Sequence, residues 1–421
     1  MPDNDIIVVG AGAAGLMAAV VAAERGARVL LLEKMDQPGR KLRITGKGRC
    51  NLTNTAPIKD TLPHIGSDSR FLRNCYSRFF NRELMSFFEQ RGVALVEERG
   101  GRVFPASGRA LDIFLALVGE LERNSHVTIR KNSMVRSLLM AEPLHAGDKP
   151  HIRGVRLQNG ESLSARNVIV ATGGLSYPTT GSTGAGFLWA QECGHTVVPP
   201  VPSLVPLVCS DTLPPDLEGF VLRNVRLTLT QANGHKLCEL FGEMNFNADG
   251  IGGPIVLSAS RLVSRRLNSG EQLVAHINLK PAIDDDELDQ RLRRDLDGNG
   301  RRLFHDALRL WLPAELVPLA LKRLHIEYYK RLHQINAAER HRLLRFLKDC
   351  TLNITATQSF NEAIVTQGGV SLKEVNPQTM ESRLVDGLYW TGEVLDLDAD
   401  TGGYNLQIAF STAYAAATHC T

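Results

Sequence analysis

The cysteine pattern of this chain excludes two common architectures. Its seven cysteines, at 50, 75, 193, 209, 238, 350 and 420, are odd in number, scattered, and include no CxxC pair. Neither a disulfide framework nor a cysteine-rich structural zinc site fits that spacing, and no metal is expected. Free thiols point instead to a reducing, cytoplasmic setting. Excess charge is missing as well. With 48 Lys or Arg against 45 Asp or Glu the net charge is only +3, so any affinity for nucleic acid must come from local clustering. No low-complexity tract interrupts the sequence. One run, Ile6 to Ala23, has eighteen residues without a charge, near the length of a membrane span. Three glycines break it and no small-residue cleavage site follows an uninterrupted apolar core, so a soluble chain without a membrane partner is expected.

That same run carries the strongest positive signal. Ile6-Ile7-Val8-Val9 leads into Gly10-Ala11-Gly12-Ala13-Ala14-Gly15, then an alanine-rich helical stretch, then Arg28-Val29-Leu30-Leu31-Leu32-Glu33. This is strand, glycine turn, helix and strand, closed by an acid, and it predicts a bound dinucleotide. Gly10 permits the tight turn, Gly12 admits a pyrophosphate close to the backbone, and Gly15 lets helix and strand pack. The helix N-terminus offers unpaired N–H groups to the phosphates, and Glu33 is placed for ribose hydroxyls.

At 421 residues, two or three units are expected. Asn167 to Gly174 reads as a short buried strand ending in a glycine turn. Gly387-Leu388-Tyr389-Trp390-Thr391-Gly392-Glu393 repeats that grammar, followed by a helix from about Asn405 to Ala417. A nucleotide fold drawn from the start, middle and end of the chain assigns 1–195 and 351–421 to a discontinuous domain. The insertion then divides into a β-rich part over 196–283, with alternation such as Val225-Arg226-Leu227-Thr228-Leu229-Thr230, and a helical basic part over 284–350. Region 56–125 reads as mixed helix and strand without clear boundaries.

Three separated segments suit a cofactor with two ends. Thr391-Gly392-Glu393 can place a carboxylate on a second sugar-like chain, which a flavin dinucleotide has in its ribityl group, so FAD is preferred over NAD. Thr401-Gly402-Gly403-Tyr404-Asn405 opens the last helix, whose N-terminus would favour negative charge on a reduced flavin ring. The bland alternative is that these glycines merely start a packed helix. No second GxGxxG is present, so NAD(P)H is expected to act as a transient electron donor rather than to have its own domain.

With those residues in place, the chain resembles the BaiN/RdsA family of bacterial FAD-dependent oxidoreductases. The resemblance rests on Gly39-Arg40-Lys41-Leu42 with Gly46 to Asn54, Gly101-Arg102-Val103-Phe104-Pro105, and Ala171 to Gly186 with Gly194-His195. It continues through Gly250-Ile251-Gly252-Gly253-Pro254, and from Gly368-Gly369-Val370 through Gly392 to Asp396 and Gly403 to Gln407. Departures from the family pattern are Asn245-Phe246-Asn247 and Ser411-Thr412. The resemblance implies an α/β fold: a glutathione-reductase-like, Rossmann-type FAD-binding domain interrupted by a β-rich domain and a small helical domain. It also implies reduction of a carbon–carbon double bond. One branch of the family is tied to dihydrouridine in 23S rRNA and another to bile-acid dehydroxylation.

The expected cofactor contacts are Gly10, Gly12, Ala13, Ala14, Gly15, Glu33, Lys34, Lys41, Arg49, Cys50, Asn51, Ala171, Thr172, Gly173, Gly392, Glu393, Gly403, Tyr404, Asn405 and Leu406. Gly39 to Asn54 packs Arg40, Lys41, Arg43, Lys47 and Arg49 around glycines. It does not match a phosphate loop, since no Ser or Thr follows Lys47. It reads either as a solvated basic loop or as a grip on the cofactor, facing an anionic substrate. Cys50 is a candidate proton donor, with Arg49 expected to lower its pKa. Its alternative is an ordinary buried cysteine. Tyr404 is the second catalytic candidate; Tyr177, Thr183 and His195 are further relay candidates, although a lone histidine such as His195 is commonly structural.

Residues 290–348 hold fourteen Lys or Arg against six acids, a net +8, with Tyr328, Tyr329 and His341 among them. That composition suits phosphate tracking with some base stacking, and equally an arginine-rich amphipathic face. Taken with what the resemblance implies, the reading is an FAD-dependent oxidoreductase acting on uridine in 23S rRNA or its precursor. A reductase of a small enone-like or steroid-like metabolite and a non-catalytic flavin-holding module are the alternatives. Nothing in the sequence fixes the oligomeric state.

Overall fold

The computed structural model describes residues 4–66, 68–141, 145 and 148–421. The chain forms two compact units, the first from residues 1–202 and 360–421, the second from 203–359.

The first unit is built on a seven-stranded sheet. Its parallel centre runs Val127–Arg130, Val29–Leu32, Asn4–Val9, Ser162–Val170 and Leu388–Trp390. Ile6, Ile7 and Val8 are fully buried, as a central parallel strand covered on both faces requires, which explains a continuous β-branched run instead of alternation. Register is fixed by Val8 opposite Leu31 on one side and Ile169 on the other. Strand Ser162–Val170 does double duty. Its first residues pair antiparallel with His151–Leu157, which pairs in turn with Val135–Ala141, while its last residues pair with Leu388–Trp390.

Helix Ala13–Glu24 is buried at every position from Ala14 to Ala23, because it packs between the sheet and helix Tyr404–His419. A helix covered all round needs small apolar residues on every face, hence its alanines. At 12 residues it is short, and among the described residues no helix is long and apolar enough to cross a membrane. Region 56–125 resolves into helices Arg73–Arg78, Asn81–Glu89 and Ala110–Arg123, with a small sheet of Thr53–Asn54, Arg102–Pro105 and Leu95–Glu98.

The second unit is a closed six-stranded barrel ordered Leu207–Cys209, Gly250–Gly252, Lys236–Asn247, Val221–Gln231, Leu273–Asn278 and Cys350–Thr357. Closure leaves no free edge. Val225, Leu227 and Leu229 point inward while Arg226 and Thr228 do not, so the period-two pattern reads directly as a half-buried strand. Cys350–Thr357 joins this barrel, not the nucleotide fold, because it pairs with both Leu273–Asn278 and Leu207–Cys209. The helices Asp285–Gly298, Val317–Leu324 and Ala337–Lys348 share one apolar core with the barrel, through Leu288, Leu292, Leu319 and Leu347.

Candidate functional site

Three distant stretches meet at the start of helix Ala13–Glu24. A Cβ on Gly10 would sit 2.6 Å from the Ala171 carbonyl, and one on Gly392 would sit 2.9 Å from the Ala14 Cβ. At Gly15 the approach is closest of the three: an added Cβ would lie 1.8 Å from the Gly10 carbonyl oxygen. Gly12 differs. Nothing lies within 4 Å of where its Cβ would be, and as N-cap it makes no side-chain cap. Among the described residues the amides of Ala13, Ala14 and Gly15 have no backbone acceptor, the arrangement at a helix start that takes a phosphate. The turn fits a dinucleotide pyrophosphate. Ala13, Ala14 and Gly15 would supply the amides.

Glu33 follows strand Val29–Leu32 and is buried. Its carboxylate accepts from Ala11 N at 2.8 Å and Met35 N at 2.9 Å, holding the turn in shape. A carboxylate has about four acceptor positions, so capacity remains for ribose hydroxyls. Lys34 donates to Thr183 Oγ1 at 2.7 Å, and burial lowers its pKa. Thr172 Oγ1 is buried without a partner among the described residues and abuts Gly186. Gly173 turns at φ +72° beside Ser182.

Glu393 lies in a polar cluster that the sequence pattern did not reveal. Oε2 is 2.7 Å from Lys41 Nζ; Oε1 accepts from Ser176 Oγ at 2.7 Å and from the Thr366 amide at 2.8 Å. Lys41 also bonds to Ser176, and Thr366 Oγ1 accepts from the Leu175 and Ser176 amides. Burial raises the Glu393 pKa, but the Lys41 ammonium and these donors outweigh it and hold it below the ordinary value. Of Lys41's three N–H groups one is left, and about one acceptor position of Glu393. Ser176 falls in the glycine-rich stretch after the middle strand, but Thr366 comes from a strand 190 residues further on with no motif of its own.

The segment 46–54 docks on the opening of the last helix. A Cβ at Gly403 would strike the Thr53 backbone at 2.4 Å, Asn54 Nδ2 donates to Gly402 O at 3.3 Å, and Thr53 Oγ1 donates to Gln407 Oε1. Asn51, with its amide oriented to suit its neighbours, accepts from Gly403 N at 3.2 Å. Asn405 clasps the preceding loop, accepting from Ala399 N and donating to Ala399 O. Leu406 is half-buried against the core.

The expectation that Arg49 lowers the Cys50 pKa is corrected. Cys50 is 0% exposed, and burial pushes its thiol up to about 12, against a smaller opposing bond to Thr45. Arg49 turns away, pairing with Glu98 and lying 4.4 Å over the Phe104 ring. The thiol is a packed, protonated group. His195 is also enclosed, 2.7 Å from Ser382 Oγ and within reach of Trp390 and Glu374, and burial lowers its pKa.

Tyr404 has a different setting. His64 stacks on its ring, with centroids 4.7 Å and planes 9° apart, and His64 Nδ1 lies 2.9 Å from Asp400 Oδ2. Backbone bonds from Gly66 N to Asp398 O and from Asp400 N to His64 O tie the two loops together. Burial, then the Asp400 charge, raises the Tyr404 pKa, so the phenol stays protonated at neutral pH. His64 has no sequence signal, since it stands alone in a short turn.

Compared with known proteins, residues 4–419 match the HI0933-like protein Rossmann domain. The chain is 33% identical to the 3-dehydro-bile acid delta(4,6)-reductase of Clostridium scindens, over 98% of both chains. It is 32% identical to the ribosomal RNA dihydrouridine synthase of Escherichia coli, over 98% of this chain and 97% of that one. The Haemophilus influenzae ribosomal RNA dihydrouridine synthase is 30% identical over 98% of both.

Proposed function

The chain belongs to the HI0933-like Rossmann family, and from that premise we propose that it uses FAD to reduce an activated C=C bond, in uridine of 23S rRNA. It is an FAD-dependent oxidoreductase. The pyrophosphate would lie on the amides of Ala13 to Gly15, the adenosine ribose at Glu33, and the ribityl chain along Gly392 and Glu393. When bound, FAD supplies the hydride equivalent. NAD(P)H would restore it.

Reducing uridine adds a hydride at C6 and a proton at C5. The observation that carries the reading is Tyr404, a protonated phenol at the mouth of the last helix, oriented by His64 and Asp400. Tyr404 would deliver the proton from Oη, with His64 holding the ring in place. Cys50 would pack behind the cofactor without touching the reacting atoms. Two of the named relatives are ribosomal RNA dihydrouridine synthases, which supports the RNA substrate over the steroid-like enone that the name of the Clostridium scindens relative points to. Seven free thiols suit a cytoplasmic enzyme.

Mass-spectrometric mapping of 23S rRNA from a strain lacking the protein tests this. Loss of a dihydrouridine, restored by a plasmid copy, is the expected result. An unchanged rRNA with consumption of a steroid enone by the purified protein rejects RNA in favour of the metabolite. Anaerobic mixing with NADH or NADPH that fails to bleach the flavin would reject those donors.

A further inference from the structure

The inserted unit presents two tyrosines that its core does not use. Tyr328 is 44% exposed and Tyr329 68%, the highest among the large apolar side chains of the described residues. His305 stacks on Tyr328 with centroids 4.0 Å and planes 12° apart. Tyr329 stands edge-on to both, 4.8 Å from Tyr328 and 5.6 Å from His305. The imidazole is fixed: Nδ1 donates to the Tyr328 carbonyl at 3.0 Å and Nε2 lies 3.2 Å from Asp306. Below the rings, Phe304 N donates to Lys330 O and Leu332 N to Arg302 O, around a bridge between Leu303 and Arg331. The aromatic cluster stands on paired backbone.

Charge on the two paired strips, 301–306 and 327–332, has one dominant sign. Six of the fourteen basic residues between 290 and 348 are ion-paired: Arg291, Arg293, Arg323, Lys330, Arg340 and Lys348. Arg301, Arg302 and Arg331 are exposed, and none has a carboxylate partner among the described residues. Arg331 donates to the Arg301 carbonyl, which draws the two together. The acids on the same strips are Asp306, engaged with His305, and Glu327.

Unpaired arginines beside exposed ring faces match an alternation of phosphate and base. A duplex hides its base faces, so the matching ligand is single-stranded. We infer that this patch binds an unpaired stretch of RNA, with Tyr329 stacking on a base and Arg301, Arg302 and Arg331 holding the adjoining phosphates. The inference rests on the RNA reading above and gives it a binding surface on the inserted unit.

The test is fluorescence-anisotropy binding of a labelled single-stranded RNA of about 12 nucleotides, within the usual site size, to flavin-loaded full-length protein across a salt series. Y329A should weaken binding roughly tenfold, with the salt slope unchanged and Y329W near wild type. R301Q/R302Q should lower the slope of log K against log salt by about 1.4, because two phosphates are no longer neutralised. Equal binding by all variants, wild-type binding that is flat with salt, or no binding overturns the patch. Mapping 23S rRNA from cells carrying wild type and Y329A separates the two ideas. Dihydrouridine made by both, with unaltered RNA binding, sinks the patch alone. RNA bound through Tyr329 without any dihydrouridine sinks the substrate reading alone.

Discussion

Lys41 Nζ lies 2.7 Å from Glu393 Oε2, joining residues 352 positions apart in sequence. Both side chains are largely withdrawn from water, and Ser176 and Thr366 complete the cluster. Removing one partner leaves the other charge poorly compensated. K41M should therefore destabilise the protein by roughly 2–4 kcal/mol, while K41M/E393Q should cost less than the two single changes summed. Urea unfolding of the four proteins checks the cycle. The folded Glu393 pKa lies below its unfolded value, so its contribution is full above the ordinary carboxylate range and is lost as pH falls through the lower folded value. K41M should flatten that acid limb.

Gly12 and Gly15 should fail in different ways. At Gly12 an added Cβ meets no protein atom within 4 Å, so G12V should fold with a near-normal Tm yet lose most bound flavin, read as the flavin's visible absorbance per protein. At Gly15 a Cβ would collide with the Gly10 carbonyl, so G15A should lose about 3 kcal/mol or more and bring flavin loss together with unfolding. A G12V protein that keeps its flavin would remove the pyrophosphate from this turn.

The contrast between those glycines shows what was legible beforehand. The first strand, turn and helix declare themselves because every local requirement is met within one short stretch. The strand 225–230 is readable for the same reason, since alternation follows from one buried face. Glu393 was found but not its setting, because Lys41, Ser176 and Thr366 come from three other segments and only the fold brings them together. The Arg49–Cys50 expectation misled because adjacency in sequence is not proximity of side chains: at φ +60° Cys50 turns into the core while Arg49 faces Glu98. Likewise the net +8 of 290–348 overstates the basic surface, as six of its cations are spent on ion pairs.

Cys50 should be dispensable for turnover. Its thiol is 0% exposed and held protonated in the core, so it does not face a substrate. C50A should keep kcat within a few-fold and lose about 1 kcal/mol from reduced packing. In native protein at mildly alkaline pH, iodoacetamide should leave Cys50 unmodified while denatured protein reacts fully. A fall in kcat of about a hundredfold for C50A, the size expected for a lost general acid, would restore the thiol to that role.

Tyr404 should behave as the acid instead. Y404F keeps the ring on His64 but removes the proton, so reduction of uridine should slow by about 10²–10⁴ while flavin content stays unchanged. His64 acts through Tyr404, which gives its variants a separate signature. H64A removes the stacked ring and its link to Asp400, so kcat should fall about tenfold with a smaller change in KM, and H64F should recover part of it by restoring the stack. Because burial and Asp400 both raise the phenol's pKa, wild-type kcat should hold level through neutral pH and drop only above the ordinary phenol range. D400N removes one of those causes and should shift the alkaline limb to lower pH. An alkaline limb unmoved in D400N, together with full activity in Y404F, would place the proton donor elsewhere.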